Sequence, residues 1–299
     1  MTYLSPIQKR ISYYIQLTKP SIMLLVIITG ATALFMEGSL INQPFKFFLV
    51  LTALYLSGGS ANAFNQYFER DIDSLMERTK NRRPLPLGQI KAKNAFIFSV
   101  VIGLIGVLMF GLIFNWLTAI LSLATILFYS LFYTLYLKPT TKSNIVIGGV
   151  AGAMAPVGAW TAATGKFALA PWILFLIIFL WTPPHFWALA SFRTGDYKKS
   201  GLPMLPVVKG IDFTMKQIII YTIVLVTATI TLFLVYNSWS YLIVALIAGY
   251  LFLRKSYMAK KNPSLIQLRE LFVYSILYLF TLFGTIIIES SLHYLFFTN

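Results

Sequence analysis

The stretch Asn65-Gln-Tyr-Phe-Glu69-Arg-Asp71-Ile-Asp73-Ser-Leu-Met-Glu77 contains four of the nine acidic residues of the chain and directly follows a long apolar run. Asn65, Glu69 and Asp73 are spaced i, i+4 and i+8, which places three oxygen-bearing side chains on one face of a helix. Carboxylates gathered at the end of a membrane helix are costly unless positive charge lies among them. Mg²⁺ prefers oxygen ligands and often shares them with a phosphate-bearing substrate. The stretch therefore predicts a membrane enzyme that handles a diphosphate.

The composition of the rest of the chain predicts an integral membrane protein. Of the 299 residues, 58% are hydrophobic and 11% are charged, and the mean hydropathy is +0.76. Soluble domains of this size are much less apolar. The chain has no cysteine and only two histidines, which excludes disulfides, thiol chemistry and a multi-histidine metal site.

The apolar runs predict a single all-α membrane domain over residues 1–299. We expect about nine transmembrane helices of about 20 residues, the length that crosses a bilayer core of about 30 Å. The runs lie at residues 20–36, 45–68, 93–114, 116–136, 145–164, 169–191, 215–236, 239–256 and 268–290. A short mixed helix at residues 6–17 is expected at the membrane interface, within a cytoplasmic or interfacial N-terminal segment 1–19.

The positions of the basic residues predict how this domain is oriented. Of the 24 lysines and arginines, 22 lie at the N-terminus and in the alternate segments 69–93, 138–144, 193–216 and 254–269. The positive-inside rule places these segments in the cytoplasm, in a multi-pass protein of the cell (inner) membrane. The net charge of +15 follows this topology pattern, so we expect the lipid bilayer and no nucleic acid as a partner.

Basic residues near the acidic stretch are candidate ligands of phosphate oxygens. Arg70 and Arg82 lie within or after the stretch, and Lys19 and Lys138 each precede a proline near a cytoplasmic helix end. Acids that hold Mg²⁺ beside bases that hold phosphate oxygens are the combination that a diphosphate needs. The alternatives are a solvated loop with ion pairs for the arginines, and membrane-interface anchors for the two lysines.

Two further motifs carry candidate site residues. Asp196 lies in a second acidic loop, where it is either a turn residue or a second-side ligand for the same metals. His185 lies in Trp181-Thr-Pro-Pro-His-Phe-Trp187, inside the sixth apolar run, where two prolines are expected to break or kink the helix. A histidine at membrane depth tends to face a cavity, although a hydrogen bond between helices is the alternative. In a cavity it would contact a polar part of an aromatic substrate, or haem iron.

At these motifs the chain resembles the UbiA-type intramembrane prenyltransferases, and within them the protohaem IX farnesyltransferase family. The resemblance covers about residues 17–210. It is carried by Leu17-Thr-Lys-Pro20, Asn65-x₃-Glu69-x₃-Asp73, Met76-Glu-Arg-Thr-Lys-Asn-Arg82, Asn144-Ile-Val-Ile-Gly-Gly149, Pro184-His-Phe-Trp187 and Asp196-Tyr197 with Pro203-Met-Leu-Pro206. The pairing of the Pro-His-Phe-Trp and Asp-Tyr motifs is what distinguishes the farnesyltransferase family from other UbiA-type enzymes.

The resemblance implies a UbiA-type bundle around one central cavity, and the transfer of a farnesyl group from farnesyl diphosphate to the 2-vinyl group of haem B. Water is added and haem O is formed for haem–copper oxidases. The implied catalytic residues and Mg²⁺ ligands are Asn65, Glu69, Asp73 and Asp196; the implied diphosphate ligands are Lys19, Arg70, Arg82 and Lys138. His185 is the implied haem contact.

Two departures from the family pattern leave questions open. Arg82 and Arg83 precede Pro84 where a single arginine is common, so either one is a candidate for the phosphate contact. The position four residues after Asp196 is Ser200, so a second carboxylate is missing there.

Other functions are weighed against this one. The nearest alternative is a UbiA-type enzyme that prenylates a quinone precursor or a chlorin, with the same metal site. A transporter would favour charges in the middle of the helices, whereas most charges here lie at helix ends. The sequence leaves open whether haem A synthase or a terminal oxidase is a partner.

Overall fold

The computed structural model describes residues 5–297, and all regular secondary structure in that range is helical. Nine helices of this range are long and apolar enough to cross a membrane, which confirms the predicted architecture. We call them the first to ninth spans: Pro20–Glu37, Pro44–Phe68, Ala92–Phe114, Trp116–Thr140, Asn144–Thr164, Leu169–Phe192, Leu205–Tyr236, Trp239–Lys261 and Leu265–Phe296. Shorter helices lie outside the spans, at Pro6–Leu17, Arg70–Leu75, Glu77–Lys80 and Thr194–Lys199.

Several spans are not uniform α-helices. The third ends in a π-helical turn at Phe110–Phe114, and the fourth contains a π-helical segment at Phe128–Leu137. The fifth consists of Asn144–Ala153 and Ala155–Thr164, which meet at Met154 just before Pro156. Pro156 lacks an N–H group, which suits the first turn of a new helix.

The structure corrects one expectation about helix continuity and one about where a helix begins. Of the two outcomes expected at Pro183 and Pro184, a break does not occur, because the sixth span is one helix from Leu169 to Phe192. The seventh span starts earlier than residue 215, because a short helix from Leu205 precedes the main helix and meets it in a kink at Gly210, whose backbone is not helical. Gly210 has a φ of 78°, a conformation that glycine adopts without steric cost.

The short N-terminal helix forms where it is predicted. Ser5 and Gln8 form a capping box, since the Ser5 hydroxyl accepts from the Gln8 N–H and the Gln8 side chain accepts from the Ser5 N–H. Leu17 at its other end is buried in a small apolar cluster with Ala63 and Ala95. The helix is therefore fixed to the second and third spans at the end where the first span begins.

Successive spans alternate in direction, so the connections after the second, fourth, sixth and eighth spans share one end of the bundle. We call this the polar end; its connections are residues 69–91, 141–143, 193–204 and 262–264. The first span packs against the second, fifth and ninth, and the sixth packs against the fifth, seventh and ninth. A small cavity of about 70 Å³ lies among the first five spans.

Candidate functional site

The acidic stretch forms a buried stripe at the polar end. Backbone hydrogen bonds run from the Glu69 N–H to the Asn65 carbonyl (3.0 Å) and from the Asp73 N–H to the Glu69 carbonyl (2.8 Å). The helical repeat therefore continues across the end of the second span, and the three side chains are 1%, 3% and 2% exposed. Asp71, by contrast, has a side chain that is 86% exposed, as its position off the stripe predicts.

Two lysines from separate spans converge on this stripe. The Lys138 Nζ donates to the Glu69 Oε1 at 2.5 Å, and the Lys19 Nζ donates to the Asn65 Oδ1 at 2.6 Å. The amide nitrogen of Asn65 donates to the Thr134 Oγ1 at 3.1 Å, which fixes the orientation of that amide. Both lysines that the sequence analysis selected thus contact the acidic stripe, and neither is a simple membrane anchor.

The third cation at the stripe is Arg83. Its guanidinium forms an ion pair and hydrogen bond with Asp73, and it lies 3.8 Å from the Glu69 Oε2. The loop is closed by Thr79, whose hydroxyl donates to the Asp73 carbonyl at 2.7 Å and whose carbonyl accepts from the Arg83 N–H at 2.9 Å. We call Lys19, Asn65, Glu69, Asp73, Arg83 and Lys138 the acid–base cluster.

Lys19 reaches the cluster through an unusual backbone conformation. Its φ is 54° and its ψ is 69°, in the left-handed region that residues other than glycine rarely occupy. The turn is held by Gln66, whose Nε2 donates to the carbonyls of Gln16 (2.9 Å) and Leu17 (3.0 Å). The Thr18 hydroxyl adds a hydrogen bond with the Tyr55 hydroxyl at 2.9 Å. These contacts direct the lysine into the bundle.

Burial and neighbouring charges shift the pKa values of the ionisable side chains in the cluster. Burial opposes ionisation of Glu69, but Lys138, Lys19 and Arg83 together hold its pKa below the usual value. Burial raises the pKa of Asp73, and Arg83 only partly offsets that effect. Burial, assisted by the positive charge of Arg83, lowers the pKa of Lys19 well below its usual range. Each charge in the cluster therefore depends on its neighbours.

The other two arginines selected from the sequence lie elsewhere. Arg70 donates to the Tyr67 carbonyl at 2.9 Å, stacks over the Tyr67 ring and lies 3.8 Å from Asp71. Arg82 is exposed, whereas the adjacent Arg83 is largely buried against the carboxylates. Of the two arginines that the sequence could not separate, Arg83 is the one that contacts the cluster.

Asp196 lies in the second acidic loop, at the same end of the bundle. It is buried, and its Oδ2 has no hydrogen-bond partner among the described residues. The two loops meet where the Lys199 Nζ lies 3.9 Å from the Glu77 Oε1. Asp196 is not grouped with Glu69 and Asp73 as a metal site among the described residues, so its role as a shared ligand stays a prediction.

His185 lies between the sixth and ninth spans, away from these charges. Its Nδ1 is 2.7 Å from the Ser275 hydroxyl, and its ring stacks on Trp181 and Phe272 at centroid distances of 4.2 and 4.6 Å. The Trp181 indole N–H donates to the Ser275 carbonyl at 2.6 Å. The ring is therefore held in one orientation by neutral partners, and the interhelical hydrogen bond anticipated as the alternative is present.

The chemistry of the donor set fits Mg²⁺. Within residues 5–297, no three histidine, cysteine, aspartate or glutamate side chains are grouped as a metal site. Yet Asn65, Glu69 and Asp73 supply the oxygen ligands that Mg²⁺ takes when it also binds substrate phosphates. The side-chain oxygens of these three residues are paired with the cations Lys19, Lys138 and Arg83, and Asp196 has one carboxylate oxygen without a hydrogen-bond partner. A cation that enters with a diphosphate would meet acceptors and bases of the required kinds.

Sequence reasoning missed several residues that shape this site. Gln66 and Thr134 hold Lys19 and Asn65 in place, and the rings of Tyr129 and Tyr133 stack in the π-helical segment beside Glu69. Gln66 directly follows Asn65, but nothing in the spacing distinguishes it from other buried amides. Tyr133 packs onto the backbone at Gly148, where an added Cβ would lie 2.3 Å from the ring.

Comparisons with known proteins agree with these features. The model of the UbiA prenyltransferase family matches residues 24–288. A "Protoheme IX farnesyltransferase" from Bartonella tribocorum is 41% identical over 97% of this chain and 94% of its own length. A solved digeranylgeranylglyceryl phosphate synthase superposes with a TM-score of 0.77 at 20% identity, over 94% of this chain and 98% of that one. A UbiA homolog from Archaeoglobus fulgidus bound to GPP and Mg²⁺ gives 0.62 at 14% identity, over 92% and 99%. These two structures share the fold.

Proposed function

The chain belongs to the UbiA prenyltransferase family, and from that membership we propose that it transfers a farnesyl group from farnesyl diphosphate to the 2-vinyl group of haem B. Addition of water completes the product, haem O. The proposal is supported by the relatedness over nearly the whole chain to a protein named for this reaction. It is also supported by the Pro184-His-Phe-Trp187 and Asp196-Tyr197 motifs, which a prenyltransferase for small aromatic acids does not require.

The observation that carries the proposal is the acid–base cluster at the polar end. Two carboxylates and an amide oxygen face three largely buried cations, and each oxygen-bearing side chain is within hydrogen-bonding or ion-pairing distance of at least one of them. We infer that Asn65, Glu69, Asp73 and the nearby Asp196 hold Mg²⁺. When bound, Mg²⁺ supplies positive charge to the diphosphate oxygens and so favours their departure from carbon.

The bases of the cluster would then bind the leaving diphosphate. Lys138 and Arg83 form ion pairs with Glu69 and Asp73, and their charges would be available to phosphate oxygens if Mg²⁺ replaced them at those carboxylates. Lys19 lies beside them on Asn65. Positive charge fixed at this position before the reaction stabilises the negative charge that develops as the C1–O bond breaks. Arg70 and Arg82 remain candidates for outer contacts with the diphosphate.

The allylic cation would form within the bundle, next to aromatic rings. Tyr129 and Tyr133 stack beside Glu69, where their faces can stabilise positive charge. The cation adds to the haem vinyl group, and water then captures the new cation as a hydroxyl group. Apolar walls must exclude water until this second stage, because earlier entry would give farnesol.

His185 is the proposed haem contact. The His185 ring is buried and stacked on Trp181 and Phe272, so a haem contact requires these aromatic partners to move aside when haem binds. The same environment also serves helix packing, so the role is tested by the haem affinity of variants at this position.

The cellular setting is part of the proposal. The basic residues concentrate at the polar end, which supports a position in the cell (inner) membrane with that end in the cytoplasm. Farnesyl diphosphate would reach the cluster from that side, and haem B from either the membrane or the cytoplasm. Transfer of haem O to a haem A synthase or a terminal oxidase is a further prediction.

The proposal is tested with the purified protein in detergent, supplied with haem B, farnesyl diphosphate and Mg²⁺. Mass analysis of the extracted haem should show the gain of a farnesyl and a hydroxyl group, and a chelator should abolish it. Unchanged haem, together with prenylation of an added aromatic acid, would contradict the haem assignment and favour another UbiA-type acceptor.

A further inference from the structure

A groove lies between the eighth and ninth spans near the polar end, apart from the site described above. Lys255 of the eighth span and Arg269 of the ninth line its charged part, and Val273 and Leu277 line its apolar part. Its volume is about 330 Å³, at the lower end of the range for small-molecule sites. Among the described residues, none of those that line it belongs to the acid–base cluster or to the surroundings of His185. The groove is therefore a separate feature of the bundle.

The ninth span presents one continuous face to this groove. Its residues at the groove are spaced i, i+3, i+7 and i+11, so their side chains lie on the same side of the helix: Ile266, Arg269, Val273 and Leu277. Ile266, Val273 and Leu277 are exposed, so this face points away from the bundle. At 1.5 Å per residue, the apolar strip runs about 12 Å from Arg269 to Leu277, towards the middle of the span. A molecule in the groove would therefore meet a cation near the polar end and hydrocarbon further along the span.

The charged side chains of the groove leave one cation unpaired. The Lys255 Nζ lies 3.3 Å from the Glu270 Oε2 and 5.9 Å from the centre of the Tyr274 ring. The Tyr274 hydroxyl donates to the Ala248 carbonyl at 2.9 Å, which ties this ring to the eighth span. The Arg269 guanidinium, by contrast, has no hydrogen bond or ion pair with any of residues 5–297. Because Lys255 and Glu270 offset each other, Arg269 gives the groove a net positive charge.

This combination of charge and apolar surface matches an anionic phospholipid better than a soluble anion or haem. A guanidinium binds phosphate oxygens with two parallel hydrogen bonds, and basic pockets between transmembrane helices bind the head groups of anionic lipids. A soluble phosphate would make no contact with the apolar strip that continues from Arg269. Haem B carries two carboxylates at one edge of a broad ring, whereas the groove offers one unpaired cation and a strip along a single helix.

We propose that this groove binds one anionic phospholipid, with its phosphate on Arg269 and one acyl chain along Val273 and Leu277. The phosphate then lies near the polar end, where the head groups of a bilayer are expected. The bound lipid contacts about two turns of the ninth span and reaches the eighth span at Lys255. The inference does not depend on the proposed function, because none of these contacts involves farnesyl diphosphate or haem.

The experiment uses the full-length protein, delipidated in detergent and titrated with phosphatidylglycerol or with phosphatidylcholine of the same acyl chains. Native mass spectrometry measures the affinity for the first lipid that binds. Phosphatidylglycerol should bind about tenfold tighter than phosphatidylcholine, and Arg269→Gln should weaken phosphatidylglycerol binding about fivefold. Arg269→Lys keeps the charge and should retain most of the affinity. Val273→Gln should also weaken phosphatidylglycerol binding, because it interrupts the apolar strip. Glycerol 3-phosphate, which has the phosphate but no acyl chain, should not displace the lipid.

The matched control is Arg254→Gln. Arg254 precedes Lys255 in the eighth span, is exposed and does not line the groove. The control variant loses the same charge from the same end of the bundle, and its affinity for phosphatidylglycerol should equal that of wild type. Phosphatidylglycerol with a photoreactive diazirine in its acyl chain locates the site, since cross-links to wild type should map to residues 266–277. Thermal unfolding of each variant identifies any loss of fold.

Several outcomes would overturn the lipid assignment. A loss of affinity in Arg269→Gln no greater than in Arg254→Gln would show that the basic end attracts anionic lipids without a defined site. Equal affinities of wild type for the two lipids, or cross-links outside residues 266–277, would overturn it as well. Displacement of the lipid by glycerol 3-phosphate would assign the groove to a soluble phosphate, and displacement by haem B would assign it to haem. Haem O synthesis is measured separately, so the failure of either proposal leaves the other intact.

Discussion

Two of the buried polar regions of this bundle, the acid–base cluster and the surroundings of His185, differ in charge. The acid–base cluster at the polar end combines full charges from three spans or their ends and from the loop that carries Arg83. The region around His185 is neutral, and aromatic rings and one serine hold it between the sixth and ninth spans. A charged cluster can exchange its internal partners for incoming ions, whereas the aromatic partners of His185 could give way to another planar ring. We propose that the diphosphate binds at the first region and haem at the second.

The largest effect is expected when a carboxylate is removed from the acid–base cluster. Asp73→Ala should lower turnover about a thousandfold or more, because it deletes a proposed metal ligand and removes the ion pair that Asp73 forms with Arg83. The measurement is haem O formation at saturating Mg²⁺. Asp71→Ala is the matched control, two residues away and exposed, and it should stay within about twofold of wild type. Mg²⁺-dependent activity retained in Asp73→Ala would contradict the metal assignment.

A comparison of variants at Arg82 and Arg83 tests which of these adjacent arginines contacts phosphate. Arg83→Ala should lower kcat/KM for farnesyl diphosphate by about a hundredfold, since it removes positive charge from the buried site. Arg82→Ala should cost only a few-fold, because Arg82 is exposed. Steady-state kinetics on both variants decide the question. A larger loss in Arg82→Ala than in Arg83→Ala would mean that the loop rearranges when the substrate binds.

The neutral region is tested through haem. His185→Ala should weaken haem B affinity by about tenfold, the effect of losing one well-stacked ring, while farnesyl diphosphate binding stays unchanged. His185→Phe restores the ring without its nitrogens. If phenylalanine recovers haem affinity, stacking is the contact; if it does not, a ring nitrogen is required. Wild-type haem affinity and turnover in His185→Ala would remove His185 from the site.

The smallest expected effect concerns how Lys19 is held. Gln66→Ala removes the donor to the carbonyls of Gln16 and Leu17, at a cost of about 1–3 kcal/mol for buried groups left unpaired. The left-handed turn at Lys19 should loosen, and KM for farnesyl diphosphate should rise several-fold with little change in haem affinity. Gln16→Ala leaves that carbonyl in place and alters only an exposed side chain, so it serves as the control. Equal KM values in the two variants would show that the hydrogen bonds from Gln66 do not position Lys19.

Much of the fold follows from the sequence because each span is a long apolar run. The predicted starts and ends of the second, third and fifth runs lie within one residue of the spans. The predicted seventh run begins ten residues after Leu205, where the observed span starts. The charged residues Lys209, Asp212 and Lys216 interrupt the apolar pattern over this part of the helix. Pro183 and Pro184 did not end the sixth span, since packing against its neighbouring spans outweighs the lost hydrogen bonds.

The site was predictable only in part. The stripe of Asn65, Glu69 and Asp73 follows from helical spacing, which is local. The choice between Arg82 and Arg83 depends on the path of the loop through Thr79, which no spacing rule provides. The approach of Lys19 depends on a left-handed turn and on Gln66, and both arise from contacts between distant segments.

The central claim, that the two substrates occupy the two separate polar regions, is tested most directly by binding each substrate alone. Farnesyl diphosphate with Mg²⁺, and haem B, are titrated separately into wild type, Asp73→Ala and His185→Ala. We predict a double dissociation, in which Asp73→Ala loses farnesyl diphosphate binding and keeps haem binding, and His185→Ala weakens haem binding about tenfold and keeps farnesyl diphosphate binding. Loss of both substrates in either folded variant, or loss of haem in Asp73→Ala alone, would contradict it.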